Sequence, residues 1–159
     1  DNIFQFYLKN LKYVNNWNLV DASAHLIIGK YLLRDTKFFP AKTHMQEKQE
    51  NLLKQHILYE LSLSKNIWER RISIVATWSL IRENHYTWTL IIAEILLNDT
   101  HDLIHKAVGW MLREVGKRDE AALKNFLEKY AHQMPRTMLR YSIEKFPENI
   151  RRGYLIEKS

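Results

Sequence analysis

The sequence predicts an all-α protein, and three observations carry that prediction. Apolar residues recur at helical spacing along nearly the whole chain. Only four Gly and three Pro interrupt 159 residues, too few breakers for a fold built on tight turns. Residues that favour helix starts stand just ahead of the apolar runs.

The elements follow in order. Ile3, Phe4, Tyr7, Leu8, Leu11 and Val14 form one stripe, which predicts a helix over residues 2–14. Asn15 or Asn16 caps a second helix reaching about Leu33, with Trp17, Leu19, Val20, Ala22, Ala24, Leu26 and Ile27 reading as its buried face. "RDTKFFPAKTH" around Pro40 reads as a loop, and "MQEKQENLLKQHILYELSL" from Met45 as a third helix, polar in its first half. Asn66 caps "IWERRISIVATWSLIRE", and "TWTLIIAEILL" is short and strongly apolar. Thr100 caps "HDLIHKAVGWMLREVG", which Gly116 terminates. Asp119 caps "EAALKNFLEKYAHQ", Pro135 sits in the first turn of "PRTMLRYSIEKF", and Pro147 opens a last short helix whose tail frays.

Composition bounds the class. Hydrophobic residues make up 46%, with five Trp, eight Tyr and six Phe, enough for a single domain over 1–159 with its own core. No cysteine is present, which excludes disulfides and thiolate metal sites and fits a reducing cytoplasm. No apolar stretch is long enough to span a bilayer, and no signal peptide is recognisable. Net charge is +6, a moderate basic excess that favours a polyanionic partner. Asp1 is not a natural start and the first residues already read as helical, so the chain is expected to be the C-terminal part of a longer domain.

The helices fall in pairs, and the second members resemble one another. "ERRISIVATW", "IHKAVGWMLR" and "MLRYSIEKF" place Arg71, Lys106 and Arg140 in register, 35 and 34 residues apart. A period of that size in helical hairpins predicts an α-solenoid whose inner helices line a concave surface. The same register puts Asp21 roughly opposite Arg71, so the expected groove is basic with one acidic position.

Asp21 is the outlier. It stands in the apolar run "NNWNLVDASAHLI", where an unpaired, dry carboxylate costs several kcal/mol. It is either a buried ion-pair partner of Arg71 or Lys106, or a residue kept for chemistry. Trp17 lies four residues earlier, on the same helical face. The ordinary reading of a Trp at helical spacing is core, and it is accepted for Trp68, Trp78 and Trp88. Arg70 and Arg71 also read as a solvated pair, and Lys106, Arg113, Arg136 and Arg140 as surface charges. His101 and His105 have an i, i+4 spacing that can bind Zn²⁺, but no thiolate is available and no metal or other cofactor is expected. No Gly-rich phosphate loop, nucleophile elbow or marked lysine is present.

"WNLVD" (17–21), "IWERRISIVATW" (67–78), "IHKAVGWMLREVGKRD" (104–119) and "MPRTMLRYSIEKFP" (134–147) closely resemble the AlkD-type DNA alkylation repair proteins, over about residues 2–154. The resemblance implies HEAT-like helical repeats and a DNA glycosylase that removes N3- or N7-alkylated, cationic purines from duplex DNA. It implies Asp21, Trp17 and Trp110 as catalytic residues and Arg71 as a phosphate contact, to which the register adds Lys106 and Arg140. Asn18 stands where many relatives have an aspartate, and the stretch from Arg34 to Lys65 is longer than usual. The expected partner is double-stranded DNA carrying alkylated purines, met by a monomer away from membranes. The alternative is a non-catalytic α-solenoid that binds DNA or a protein partner. A pure DNA binder gains nothing from a carboxylate on a phosphate-binding face, which favours the enzyme.

Overall fold

The computed structural model describes residues 2–34 and 56–156. All the regular structure among these residues is helical. In chain order the elements are α1 (Asn2–Lys9), a 3₁₀ turn (Leu11–Tyr13), α2 (Trp17–Ala24), a π-turn (His25–Gly29), α3 (Lys30–Leu33), α4 (Ile57–Ser62) and α5 (Ile67–Val75). Then come α6 (Thr77–Arg82), α7 (Thr87–Ile95), α8 (Asp102–Gly116), α9 (Glu120–Tyr130), α10 (Arg136–Ser142) and α11 (Glu148–Ile156).

The caps explain most of the starts. Asn16, Asn66 and Asp119 each accept a backbone N–H of the first turn through their side-chain oxygen, from Asn18, Trp68 and Ala122 respectively. Two histidines cap as well: His56 Nδ1 accepts from Leu58 N–H and His101 Nδ1 from Leu103 N–H. His101, not Thr100, is therefore the cap of α8.

Several sequence expectations need correction. The first helix stops at Lys9, and Leu11–Tyr13 tightens into a 3₁₀ turn. The third helix cannot run unbroken from Met45, because His56 is extended; what precedes His56 lies outside the described residues, as does most of the long 34–65 stretch. The helix capped by Asn66 divides at Ala76, where buried Thr77 donates its hydroxyl to the Ile74 carbonyl, a back-bond that bends helices. α8 ends at Gly116 as read, but without a left-handed turn; glycine suits the position because a Cβ there would stand 2.4 Å from Leu123. The C-terminal tail is helical to Ile156.

The second helix departs most from its sequence pattern. Its buried face is Val20, Ala24, Ile28 and Leu32, one residue every four. Trp17, Leu19 and Leu26, expected inside, are about half exposed. The π-turn follows Asp21's helix directly: Lys30 N–H donates back five residues to the His25 carbonyl, which also accepts the Ser79 hydroxyl at 2.5 Å. Gly29 permits this contact, since a Cβ would fall 2.3 Å from the Ala76 carbonyl oxygen.

The helices α2, α5, α8 and α10 pack side by side in that order, so the residues they carry face one another. α4 packs on α5 and α7, and α9 on α8. One continuous apolar core runs between them from Phe4 to Phe146. The tightest seam is α8 on α10. A Cβ on Gly109 would stand 2.5 Å from Tyr141 Cβ and 2.6 Å from the Met138 carbonyl oxygen.

His56 is 3% exposed and stacks on Trp88 at 3.8 Å, and burial pushes its pKa down to about 4. The folded protein thus resists a proton that the unfolded chain takes up near the usual histidine value. This contribution to stability is whole above about pH 6.5 and is lost as pH falls from there through about 4, up to ~3 kcal/mol in all. His56→Asn keeps a cap acceptor without the titration. Urea unfolding between pH 7 and 4 should show a shallower acid loss in this variant; parallel curves would remove His56 as a cause.

Candidate functional site

Trp17, Asp21, Arg71, Lys106 and Trp110 line one open cleft of about 330 Å³, together with Leu103, Arg113 and Tyr141. Of the residues singled out from sequence, five meet here. Each comes from the row of packed helices: Trp17 and Asp21 from α2, Arg71 from α5, Lys106, Trp110 and Arg113 from α8, and Tyr141 from α10. Arg140, the sixth, is exposed and lines an adjoining cleft of about 410 Å³ with Thr137, Glu144 and Arg151. Lys106 and Tyr141 form the wall shared by the two.

The cleft floor is an ion pair. Arg71 donates from Nε to Asp21 Oδ1 at 2.9 Å and from Nη2 to Asp21 Oδ2 at 2.8 Å, a parallel two-point contact. Its Nη1 donates to the Leu103 carbonyl at the start of α8. Arg71 is 5% exposed overall, whereas the Asp21 side chain keeps 21% of its surface. Arg71 is therefore not part of a solvated pair. The phosphate contact expected of it falls, at most, to the two of its five N–H donors left uncommitted. Arg70 is equally engaged, with Asp99 Oδ2 at 2.6 Å and the Ser64 and Lys65 carbonyls.

The walls are aromatic and basic. Trp17 is 50% exposed, so the core reading of this residue fails. Trp110 is partly buried and packs edge to face on Trp78, centroids 5.1 Å apart. Lys106 pairs with Asp102 at 2.7 Å, which holds its ammonium pKa above the usual value. Arg113 leans on Glu144 and Glu114 at the rim. His25, one turn beyond Asp21, is buried, and burial followed by the charges of Arg82 and Lys30 pushes its pKa below the usual value.

Arg113 and Tyr141 were missed as site residues. Arg113 lies three residues after Trp110 on α8 and Tyr141 follows Arg140, so helical spacing and the repeat register carried the signal. Among the described residues, no group of three or more His, Asp or Glu is placed to hold a metal ion. His101 and His105 are each tied to backbone, His105 Nε2 to the Asp99 carbonyl at 2.5 Å. Among the same residues no helix is long and apolar enough to cross a membrane.

The family model described as DNA alkylation repair enzyme matches residues 1–146. No curated protein and no solved structure gives a significant match.

The floor pair makes Arg71 a stability residue. Arg71→Ala leaves Asp21 and the Leu103 carbonyl without their donors and should cost about 3–5 kcal/mol. Arg71→Lys should recover little of it, because an ammonium cannot make the forked contact. Chemical unfolding at neutral pH checks both; an Arg71→Ala loss below ~1 kcal/mol, the scale of an exposed pair, contradicts this account.

Proposed function

We propose that this chain, which belongs to the DNA alkylation repair enzyme family, is a monofunctional DNA glycosylase that excises cationic N3- or N7-alkylated purines from duplex DNA. Membership makes it an enzyme of the repair of alkylated DNA. The observation that carries the finer reading is a single fixed carboxylate, Asp21, in a cleft walled by Trp17 and Trp110.

The substrate needs little else. Alkylation at N7 or N3 leaves the purine positively charged and already a good leaving group, so no general acid has to protonate it. The C1′–N9 bond breaks, and its electron pair neutralises the departing base. Positive charge grows on the sugar. A carboxylate held near C1′ stabilises that charge and orients the attacking water, which gives its oxygen to C1′ and releases a proton. The indole faces of Trp17 and Trp110 complement a cation or the polarised sugar, at about 0.5–2 kcal/mol each.

Arg71 keeps Asp21 aimed while leaving the carboxylate's remaining lone pairs to the cleft. Lys106 in the shared wall and Arg140 in the adjoining cleft take backbone phosphates, with the spare donors of Arg71 at the floor of the first cleft. The row α2–α5–α8–α10 supports an α-solenoid of HEAT-like repeats whose inner helices form a basic groove. The protein acts in the cytoplasm as a monomer, with no metal or other cofactor in the reaction.

Incubation with a duplex bearing one 7-methylguanine should release the free base and leave an abasic site, and an undamaged duplex should release nothing. Binding to either duplex should weaken steeply with salt, and Arg140→Ala should flatten the slope of log K against log salt by about one. Tight binding with no released base is the result that favours the non-catalytic alternative.

A further inference from the structure

The Asp21 helix and the Trp110 helix are joined twice. The first link is polar and runs through Arg71 at the cleft floor. The second lies behind it and is aromatic. His25, four residues after Asp21, meets Trp78 edge to face, centroids 4.6 Å apart at 64°. Trp78 in turn meets Trp110 edge to face, 5.1 Å apart at 61°. Trp78 is seven residues after Arg71, across the break at Ala76, so the two links run through the consecutive helices α5 and α6.

The first two members of the aromatic link are held from behind. The His25 carbonyl is tied to the Ser79 hydroxyl at 2.5 Å, next to Trp78, and the π-turn holds the ring at the end of α2. The Arg82 guanidinium stands 5.9 Å from the Trp78 ring centre, on the cation–π scale of distance. Trp78 itself is not a cleft residue. Its edge-to-face contact fixes the tilt of the Trp110 indole, and edge-to-face pairs have a definite preferred geometry.

We propose that Trp78, buttressed by His25, is a positioning residue that sets the orientation of Trp110 in the cleft. The inference rests on the glycosylase reading only for its effect on rate. A misplacement of about 1 Å in a reacting geometry costs on the order of 10²-fold, so a ring that rotates freely forfeits much of what Trp110 contributes.

The test labels the protein's five Trp with 5-fluorotryptophan, which gives each one ¹⁹F resonance. Trp110→Phe identifies the Trp110 signal. Trp78→Leu should shift or broaden that signal and leave the Trp17 signal unchanged, and Trp78→Phe, which keeps an aromatic contact, should restore it. A Trp110 signal unmoved by Trp78→Leu overturns the proposal whether or not the protein excises bases. On the same preparations, single-turnover release of 7-methylguanine per folded molecule should fall roughly 10-fold in Trp78→Leu, with undamaged-duplex affinity kept. In a Trp110→Ala background the Trp78 substitution should cost nothing further, because its effect passes through Trp110. Additive losses overturn the proposal. A wild type that releases no base removes the glycosylase reading, and the ¹⁹F spectra still decide the positioning role.

Discussion

The forked contact between Arg71 and Asp21, extended by Arg71 to the Leu103 carbonyl, joins three helices far apart in sequence. It spans 50 residues to Asp21 and 32 to Leu103, so no local preference creates it. The fold brings it about by packing α2 on α5 and α5 on α8, and the pair then fixes their relative rotation. Ion pairs removed from water gain little net stability against apolar replacements of the same volume, because desolvation offsets attraction. Stability alone is thus a weak reason for keeping this pair. An open cleft above a carboxylate that retains a fifth of its surface is a better one.

Charge around the cleft is arranged in the same sense. Asp21 is neutralised from below by Arg71, while Lys106 and Arg113 take their acidic partners, Asp102 and Glu144, from the rim. Inside the cleft one carboxylate faces three cations. The net charge of +6 has the sign that complements a polyanion.

Much of this was legible in the sequence, and the failures have physical causes. Asn16, Asn66 and Asp119 cap as read, because their side chains mimic a backbone acceptor. The 35- and 34-residue register placed Lys106 and Arg140 along one surface, and the spacing of Trp17 and Asp21 put them on one helical face. The resemblance, now matched by the family model over residues 1–146, supplied Trp110 and Arg71. Burial was the weak point. Trp17 reads as core by type, yet it is half exposed, since the core face of α2 is set by the i+4 row of Val20, Ala24, Ile28 and Leu32. The π-turn left no mark in the residue pattern, because it depends on Ser79 and Ala76 from another helix. Arg71 carried three readings, solvated charge, phosphate contact or ion-pair partner of Asp21; the fork on Asp21 is the third, and the residue types alone did not decide among them.

The central claim is that the Asp21 carboxylate serves the reaction and that its bond to Arg71 serves the carboxylate. Asp21→Asn tests it most directly, because it is nearly isosteric, removes the charge and turns an acceptor into a donor facing Arg71. Unfolding free energy and single-turnover release of 7-methylguanine are measured on one preparation, with the rate corrected to the folded fraction. The account predicts a stability loss of a few kcal/mol and a rate per folded molecule at least ~10²-fold lower, with duplex affinity equal or higher. A variant that melts much lower yet keeps its rate per folded molecule would show that Asp21 only holds the helices together.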